Sequence, residues 1–246
     1  MTHMEIIRVD RTTAPQARGV VIVIDVIRAF TVAGYAFAGG AQRLWLVRTV
    51  EEALALRARE PQALLAGEIG GRLINGFDMN NSPAHMATAD VRGRLIIQRT
   101  GAGTQGAVLA ANASHLLLSS LTNARATATY ARALAASSEG VIALLPTGSA
   151  EDFAYGNEDT LCADYIEALL RGRDDTLDIL DKGIEQMHAS RRFELWEQGH
   201  VDFPFEDIAA VLDIDRFNFA MVGTHKEWQG ITYVEVQRVD VDDKTQ

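Results

Sequence analysis

Short apolar runs alternate with helix-like segments along most of this chain. Residues 20–24 form a continuous β-branched run, which is typical of a strand buried on both faces. The next segment, 27–37, has helical apolar spacing and is closed by Gly39 and Gly40. Strands that alternate with helices in this way predict a largely parallel sheet covered by helices.

The same pattern continues to the end of the chain and defines the predicted fold class. Further strands are predicted over 43–47, 62–66, 94–98, 115–119, 140–145, 218–222 and 231–236, and further helices over 50–59, 124–136 and 158–171 and within 174–200. We therefore predict an α/β fold with three layers, α/β/α, and a largely parallel or mixed sheet. Residues 18–29 and 139–150 echo each other, which allows two similar halves.

Composition limits the domain organisation and the partners. The chain has 246 residues, 48% of them hydrophobic, and no low-complexity linker, so we predict a single α/β catalytic unit over 1–246, with a two-lobed division near 115–140 as the alternative. A formal charge of −10 argues against nucleic acid as a partner. One cysteine and no long apolar segment predict a cytoplasmic protein with no membrane partner, and a homo-oligomer remains open.

Asp25 is the first candidate for chemistry, because it stands at the carboxyl end of the first predicted strand, where α/β sheets bind ligands. Capping of the next helix is the alternative role for its carboxylate. Arg28 lies about one helical turn further on and could face an anion beside Asp25, or be an ordinary surface arginine.

The segment 67–82 lacks a clear period and is rich in glycine and asparagine, which predicts a loop. It offers the hard oxygen ligands that Mg²⁺ prefers, although the same residue types are common in ordinary loops. These candidates are Glu68, Asp78, Asn81 and Ser82. Ser82 followed by Pro83 is also typical of a helix start.

Residues 101–106, GAGTQG, match the dinucleotide-binding fingerprint between a predicted strand and a helix. That fingerprint needs an acidic residue about 20 positions later. The strand over 115–119 is followed by Ser-Leu-Thr-Asn, with no carboxylate. An anion-binding turn that uses backbone N–H groups is therefore favoured over a nicotinamide site, with simple packing as the other alternative.

Glu158 and Asp159 open a later predicted helix, directly after Gly156 and Asn157. Acidic residues at a helix start are stabilised by the helix dipole, which is sufficient to explain their position.

Several separated segments together resemble the 2-phosphosulfolactate phosphatase family over about residues 20–222. They are IDVIRAFTV (24–32), GEIGGRLINGFDMNNSP (67–83), SLTNA (120–124), GNEDTLCA (156–163) and FEDIAAVLDIDRFNFAMV (205–222). The resemblance implies an α/β enzyme that uses Mg²⁺ to hydrolyse a small anionic phosphate ester, 2-phosphosulfolactate, to sulfolactate and phosphate in the coenzyme M pathway.

Together with the anion-binding turn, the resemblance implies a set of site residues. The expected catalytic residues are Asp25, Arg28 and Glu68; the expected substrate-binding residues are Asn81, Ser82, Gly101, Gly103, Thr104 and Asn123; and the expected metal ligands are Asp25, Glu68, Asp78, Glu158 and Asp159. The attacking group would be a metal-activated water or Asp25 itself.

Two departures from the family pattern affect the substrate. Ile69 stands where the family has arginine in G-E-R-G-G, and the glycine-rich turn differs from T-T-N-G-T. Arg72 or Arg99 could compensate for the missing arginine. A NAD-type dinucleotide-binding oxidoreductase and a non-catalytic phosphoester-binding protein are the alternative functions.

Overall fold

A mixed sheet of ten strands runs through the part of the chain that this computed structural model describes, residues 4–137, 140–148, 158–190 and 192–242. The strands are β1 (Glu5–Arg8), β2 (Val20–Ile24), β3 (Arg43–Val47), β4 (Leu64–Ile69), β5 (Arg72–Leu73), β6 (Leu95–Arg99), β7 (His115–Ser119), β8 (Val141–Pro146), β9 (Phe219–Trp228) and β10 (Ile231–Asp240). The helices are α1 (Ala29–Ala38), α2 (Val50–Arg59), α3 (Pro83–Thr88), α4 (Gly103–Leu109), α5 (Ala124–Ala136), α6 (Glu158–Arg171), α7 (Thr176–Ala189), α8 (Glu194–Glu197) and α9 (Glu206–Val211). None of the described helices is long and apolar enough to cross a bilayer.

The sheet consists of two parallel blocks joined by an antiparallel hairpin. Its order is β1-β8-β2-β7-β9-β10-β3-β6-β4-β5, and β9 and β10 pair with each other and with the two blocks in antiparallel fashion. The prediction of an α/β fold with a mixed sheet flanked by helices is confirmed. The two segments that echo each other form β2 and β8, which pair side by side within one block, with Val20 opposite Ile142. Two similar halves stay a prediction.

Alternating side chains of the strands pack into different cores. Val21 and Val23 of β2 share a core with Leu46 of β3 and with α1 and α4, so these helices lie against strands of both blocks. Ile22 faces the opposite way and packs with α5, α6 and α7, whereas Trp45 packs with α2. Strands from both sides of residues 115–140 thus belong to one sheet; the single catalytic unit itself stays a prediction.

Sheet twist accounts for how the two blocks form one site. Following the pairings, β2 and β4 are six strands apart and run in opposite senses. A twist of roughly 20–25° per strand adds up to roughly 120–150° over six steps. The carboxyl end of β4 is thereby turned toward the carboxyl end of β2.

Three local predictions differ from the structure. The predicted loop over 67–82 begins with a small hairpin, because β4 continues to Ile69 and pairs with β5 through Gly70 and Gly71, both at positive φ. The final strands are ten residues each, longer than predicted, because their outer parts are exposed and lack an apolar run. β1 has only four residues and was not predicted.

Candidate active site

A cavity of about 270 Å³ lies where β2 and β4 end, between the two blocks. Its lining includes Asp25, Arg28, Glu68, Asn81, Gly101 and Arg192. Five of these six residues are among the candidates from the sequence. Another cavity, of about 390 Å³ beside Arg125 and Arg132, contains none of the predicted site residues.

Asp25 follows β2 directly and is almost completely buried. Its Oδ1 accepts a hydrogen bond from the Ala29 N–H at 2.9 Å, and the Gly103 N–H also donates to its carboxylate. Burial raises the pKa of Asp25 to about 6 against the effect of these donors, and the charges of Glu158 and Glu68 raise it further. Asp25 therefore keeps its proton to a higher pH than an exposed aspartate does.

The glycine-rich turn holds carboxylates of the protein itself. The Gly101 N–H donates to Glu68 Oε1 at 2.5 Å, and the other Glu68 oxygen accepts from the Gly71 N–H at 2.7 Å. A Cβ on Gly103 would lie 2.6 Å from Asp25 Oδ2, so the space in front of α4 is filled. The N–H groups of the turn are thus occupied, and a dinucleotide pyrophosphate would find no room there. The turn is better suited to holding the carboxylates of Glu68 and Asp25 than to binding phosphate directly.

Thr104, Ser82 and Asn123 are buried, and their side chains form hydrogen bonds within the protein. The Thr104 hydroxyl accepts from the Thr100 N–H at 2.9 Å and fixes the turn. Ser82 caps α3 by accepting from the His85 N–H, which confirms the predicted helix start. Asn123 lies ahead of α5, where its Oδ1 accepts from the Ser120 N–H and its Nδ2 donates to Thr127. None of the three lines the cavity.

Glu158 and Asp159 bring the start of α6 to the same place. Asp159 accepts from the Val26 N–H at 2.7 Å and from the Gly148 N–H at 3.0 Å, joining the ends of β2 and β8. Burial raises its pKa well above the usual range, and the charges of Asp25 and Glu158 add to this. The preceding Gly156 and Asn157 lie outside the described residues.

Arg192 forms a two-pronged ion pair with the buried Glu158. The sequence patterns did not single out Arg192, because nothing in its local segment predicts a partner 34 residues away. Together with Arg28 it brings positive charge to the cavity, whereas Arg72 and Arg99 do not line it.

Arg28 is buried and holds three segments together. Its guanidinium donates to Asp207 Oδ2 at 2.9 Å, to the Gly71 carbonyl at 2.9 Å and to the Asp202 carbonyl at 2.8 Å. It also lies 5.6 Å from the Trp196 ring centroid and 5.0 Å from that of Phe203. One edge of the cavity is thus built around a fixed positive charge.

Asp78 lies apart from the other predicted metal ligands. Its carboxylate accepts from the Leu65 N–H and from Arg57, both at 2.7 Å. Burial opposes ionisation of Asp78, but these two donors outweigh it and hold the pKa below its ordinary value. Leu65 is three residues before Glu68 on β4, about 10 Å along a strand, so Asp78 is held near the start of β4 and Glu68 lies near its end.

The carboxylates near the cavity offer oxygen ligands of the kind that Mg²⁺ prefers. Among the described residues, no three carboxylate, histidine or cysteine side chains form a group that could hold a metal by themselves. Mg²⁺, however, is usually bound by one or two carboxylates, with water and substrate phosphate completing its coordination. Asp25 and Asp159 are buried, and the charge of Glu158 raises the pKa of both. A cation would relieve this repulsion, so the donor set fits an open site of this kind.

Comparisons with known proteins match the region that contains these residues. A family model described as 2-phosphosulpholactate phosphatase matches residues 6–199. Proteins named "Probable 2-phosphosulfolactate phosphatase" are 42% identical over 153 residues in Bacillus subtilis and 41% identical over 165 residues in Deinococcus radiodurans. A protein of the same name from Thermus thermophilus is 44% identical over 117 residues.

The alignment with the B. subtilis relative covers 61% of this chain and 64% of that protein. The D. radiodurans alignment covers 67% of each of the two chains, and the T. thermophilus alignment covers 47% of this chain and 48% of the relative. The chain therefore spans slightly less than two thirds of the length of the B. subtilis protein. Asp207, the partner of Arg28, lies beyond the matched residues. Since the match covers well over half of the chain and includes all four carboxylates gathered around the cavity, the chain belongs to the 2-phosphosulpholactate phosphatase family.

Proposed function

We propose that this chain is a Mg²⁺-dependent phosphatase that hydrolyses a small anionic phosphate ester, with 2-phosphosulfolactate as the first candidate, to give sulfolactate and phosphate. The observation that carries the proposal is the buried Asp25 carboxylate, which faces the cavity with its pKa raised to about 6. The family and the names of the relatives support phosphate ester hydrolysis. A cavity of about 270 Å³ suits a small ester better than a dinucleotide.

Asp25, Glu158 and Asp159 are the residues we assign to holding the cation, with Glu68 beside them. Bound there, Mg²⁺ would neutralise charge on the phosphate oxygens and make phosphorus more open to attack. Asp78 is left out of this set, because its carboxylate is held near the start of β4, about 10 Å along the strand from Glu68.

The chain's own groups then have distinct tasks in the proposed reaction. Asp25 either takes a proton from a water whose oxygen displaces the ester oxygen from phosphorus, or displaces that oxygen itself to give an aspartyl phosphate that water then hydrolyses. In both cases the departing alkoxide takes up a proton. Arg28 supplies a fixed positive charge, and Arg192 supplies a second one that could reach the distal anionic group of the ester. Arg192 would thus replace the family arginine for which this chain has Ile69, whose side chain is exposed.

The test is phosphate release from a panel of phosphorylated 2-hydroxy acids that includes 2-phosphosulfolactate, with Mg²⁺ or with EDTA. Asp25→Asn should lower kcat/KM by about 10²–10⁴-fold, the range typical of such catalytic groups. Asp78→Asn is the matched control, a carboxylate of the neighbouring segment that does not line the cavity, and should retain activity.

Release that requires both Mg²⁺ and Asp25 would support the proposal and identify the substrate. Phosphate release that persists in EDTA would contradict the proposed requirement for Mg²⁺. Tight binding of an ester without release in either condition would favour the non-catalytic phosphoester-binding alternative.

A further inference from the structure

Gln98 is a buried polar residue that connects two segments of the active site. It lies on β6, and its side chain is completely inaccessible to solvent. Its Nε2 donates to the Ala29 carbonyl at 3.0 Å and to Asn81 Oδ1 at 3.2 Å. Ala29 is also the residue whose N–H donates to the Asp25 carboxylate. Gln98 therefore contacts both the segment that holds Asp25 and a residue that lines the cavity.

The contacts of Gln98 determine the orientation of the Asn81 amide. A backbone carbonyl can only accept hydrogen bonds, so the Gln98 group that faces Ala29 must be the NH₂ donor. The same NH₂ group reaches Asn81, which must then present its oxygen. The Asn81 Nδ2 donor is consequently turned away from Gln98, and it has no acceptor in the described part of the chain. Since Asn81 lines the cavity, this donor is available to a ligand there.

The orientation is kept at a cost to stability. Gln98 Oε1 is buried and has no hydrogen-bond donor among the described residues. A buried polar atom in this state is unfavourable, and an apolar side chain of the same length would avoid the loss. Unfavourable features that bring no structural benefit, such as this unpartnered oxygen, are typical of functional sites.

We propose that Gln98 is a positioning residue: it fixes the Asn81 amide so that Nδ2 donates a hydrogen bond to a phosphoryl oxygen of the bound ester. This inference rests on the proposed phosphatase function, because it names a group of that site that binds the phosphoryl group of the ester. Asn81 contacts the ligand, and Gln98 acts through Asn81; its hydrogen bond to the Ala29 carbonyl fixes which end of the Gln98 amide faces Asn81. A neutral amide donor keeps its role at every pH at which the fold is stable.

A double-mutant cycle of Gln98→Met and Asn81→Ala tests this relationship. Methionine has the length of glutamine without its amide. Gln98→Met removes the unpartnered Oε1 together with the two hydrogen bonds of Nε2, so its stability in urea unfolding should stay close to that of the wild type. It should nevertheless bind inorganic phosphate and turn over ester about ten- to a hundredfold less well, as expected for a hydrogen bond to a charged ligand. Gln237→Met is the control for the substitution itself, because Gln237 is an exposed residue of β10 that does not line the cavity.

The decisive result is the double mutant. If Gln98 acts through Asn81, adding Gln98→Met to Asn81→Ala should cause no further loss of phosphate affinity or kcat/KM. Losses that multiply, or an activity loss matched by a loss of stability, would reduce Gln98 to a structural residue and overturn the inference. Unchanged phosphate affinity and kcat/KM in Gln98→Met would overturn it as well.

Failure of the proposed function can be recognised separately. If the wild type binds inorganic phosphate but hydrolyses no ester, the phosphatase proposal fails, and phosphate affinity in the four proteins of the cycle still decides the role of Gln98. A wild type that neither binds phosphate nor releases it overturns both proposals.

Discussion

The Asp25 carboxylate packs against the backbone of Gly103 so closely that no side chain fits between them. A Cβ at position 103 would lie 2.6 Å from Asp25 Oδ2 and 2.9 Å from Asp25 Cβ. The contact joins the end of β2 to the start of α4, and the Gly103 N–H donates to the same carboxylate. Glycine is therefore required at position 103 because the backbone there approaches the Asp25 carboxylate closely. The dinucleotide fingerprint would instead assign this glycine to phosphate binding.

Gly103→Ala should displace Asp25 and destroy activity. Overpacking of this kind typically costs about 1–3 kcal/mol of stability, so the protein should still fold. We expect a loss of kcat/KM as large as that of Asp25→Asn, measured by phosphate release beside urea unfolding.

Gly93→Ala is the control for this substitution. Gly93 has a positive φ with nothing within 4 Å of an added Cβ, so alanine there costs roughly 1–2 kcal/mol of backbone strain without touching the cavity. Gly93→Ala should keep its kcat/KM. Full activity in Gly103→Ala would show that the close contact is dispensable.

Asp25→Asn should be more stable than the wild type at neutral pH in EDTA. The pKa of Asp25 is raised from 3.8 to about 6, so between these values the folded protein keeps a proton that the unfolded chain releases. The contribution of Asp25 to the free energy of unfolding is fully present below pH 3.8 and is lost as the pH rises through about 6. The loss is roughly 3 kcal/mol for a shift of about two pH units. Asparagine stays neutral and avoids that loss, so the difference should appear in urea unfolding near pH 8 and vanish near pH 4.

Asp78→Asn should show the opposite sign. Its folded-state pKa is lowered, so its stabilising contribution is present above the ordinary pKa of 3.8 and disappears as the pH falls through the lowered value. The variant should be less stable than the wild type at neutral pH and equal to it in strong acid. Equal pH profiles for the two asparagine variants would contradict the assignment of Asp25 and Asp78 to different environments.

Arg192→Ala should weaken substrate binding more than turnover. The substitution removes a positive charge from the cavity and leaves the buried Glu158 without its two-pronged partner. We expect KM to rise roughly tenfold, about the effect of one charge-assisted hydrogen bond, with a smaller fall in kcat. Because Glu158 raises the pKa of Asp25, the acidic limb of the pH profile should also move to higher pH.

Arg192→Lys provides the comparison for that prediction. Lysine keeps the charge but cannot reproduce the planar two-pronged contact, so its KM should lie between those of the wild type and Arg192→Ala. An unchanged KM in both variants would remove Arg192 from the substrate site.

The sequence predicted most of the regular structure because its signals are local. Strands β2, β3 and β7 and helices α2 and α5 have the predicted bounds, since buried apolar runs and helical spacing are read over a few neighbouring residues. The same local logic singled out Asp25, Glu68, Asn81 and Gly101, because each follows a strand end or belongs to a loop that begins at one.

The tertiary structure decided which polar residues meet, because those contacts join positions far apart in the chain. Arg28 binds Asp207 across 179 residues, and Gln98 reaches Ala29 across 69, distances at which local patterns carry no information. It also separated Asp78 from Glu68, two carboxylates of one predicted loop, because Asp78 is bound near the start of β4 and Glu68 lies near its end. By itself the sequence therefore determined the elements and the strand ends where chemistry is found; the twist of the sheet and the packing of its two blocks determined which carboxylates, arginines and amides share the cavity.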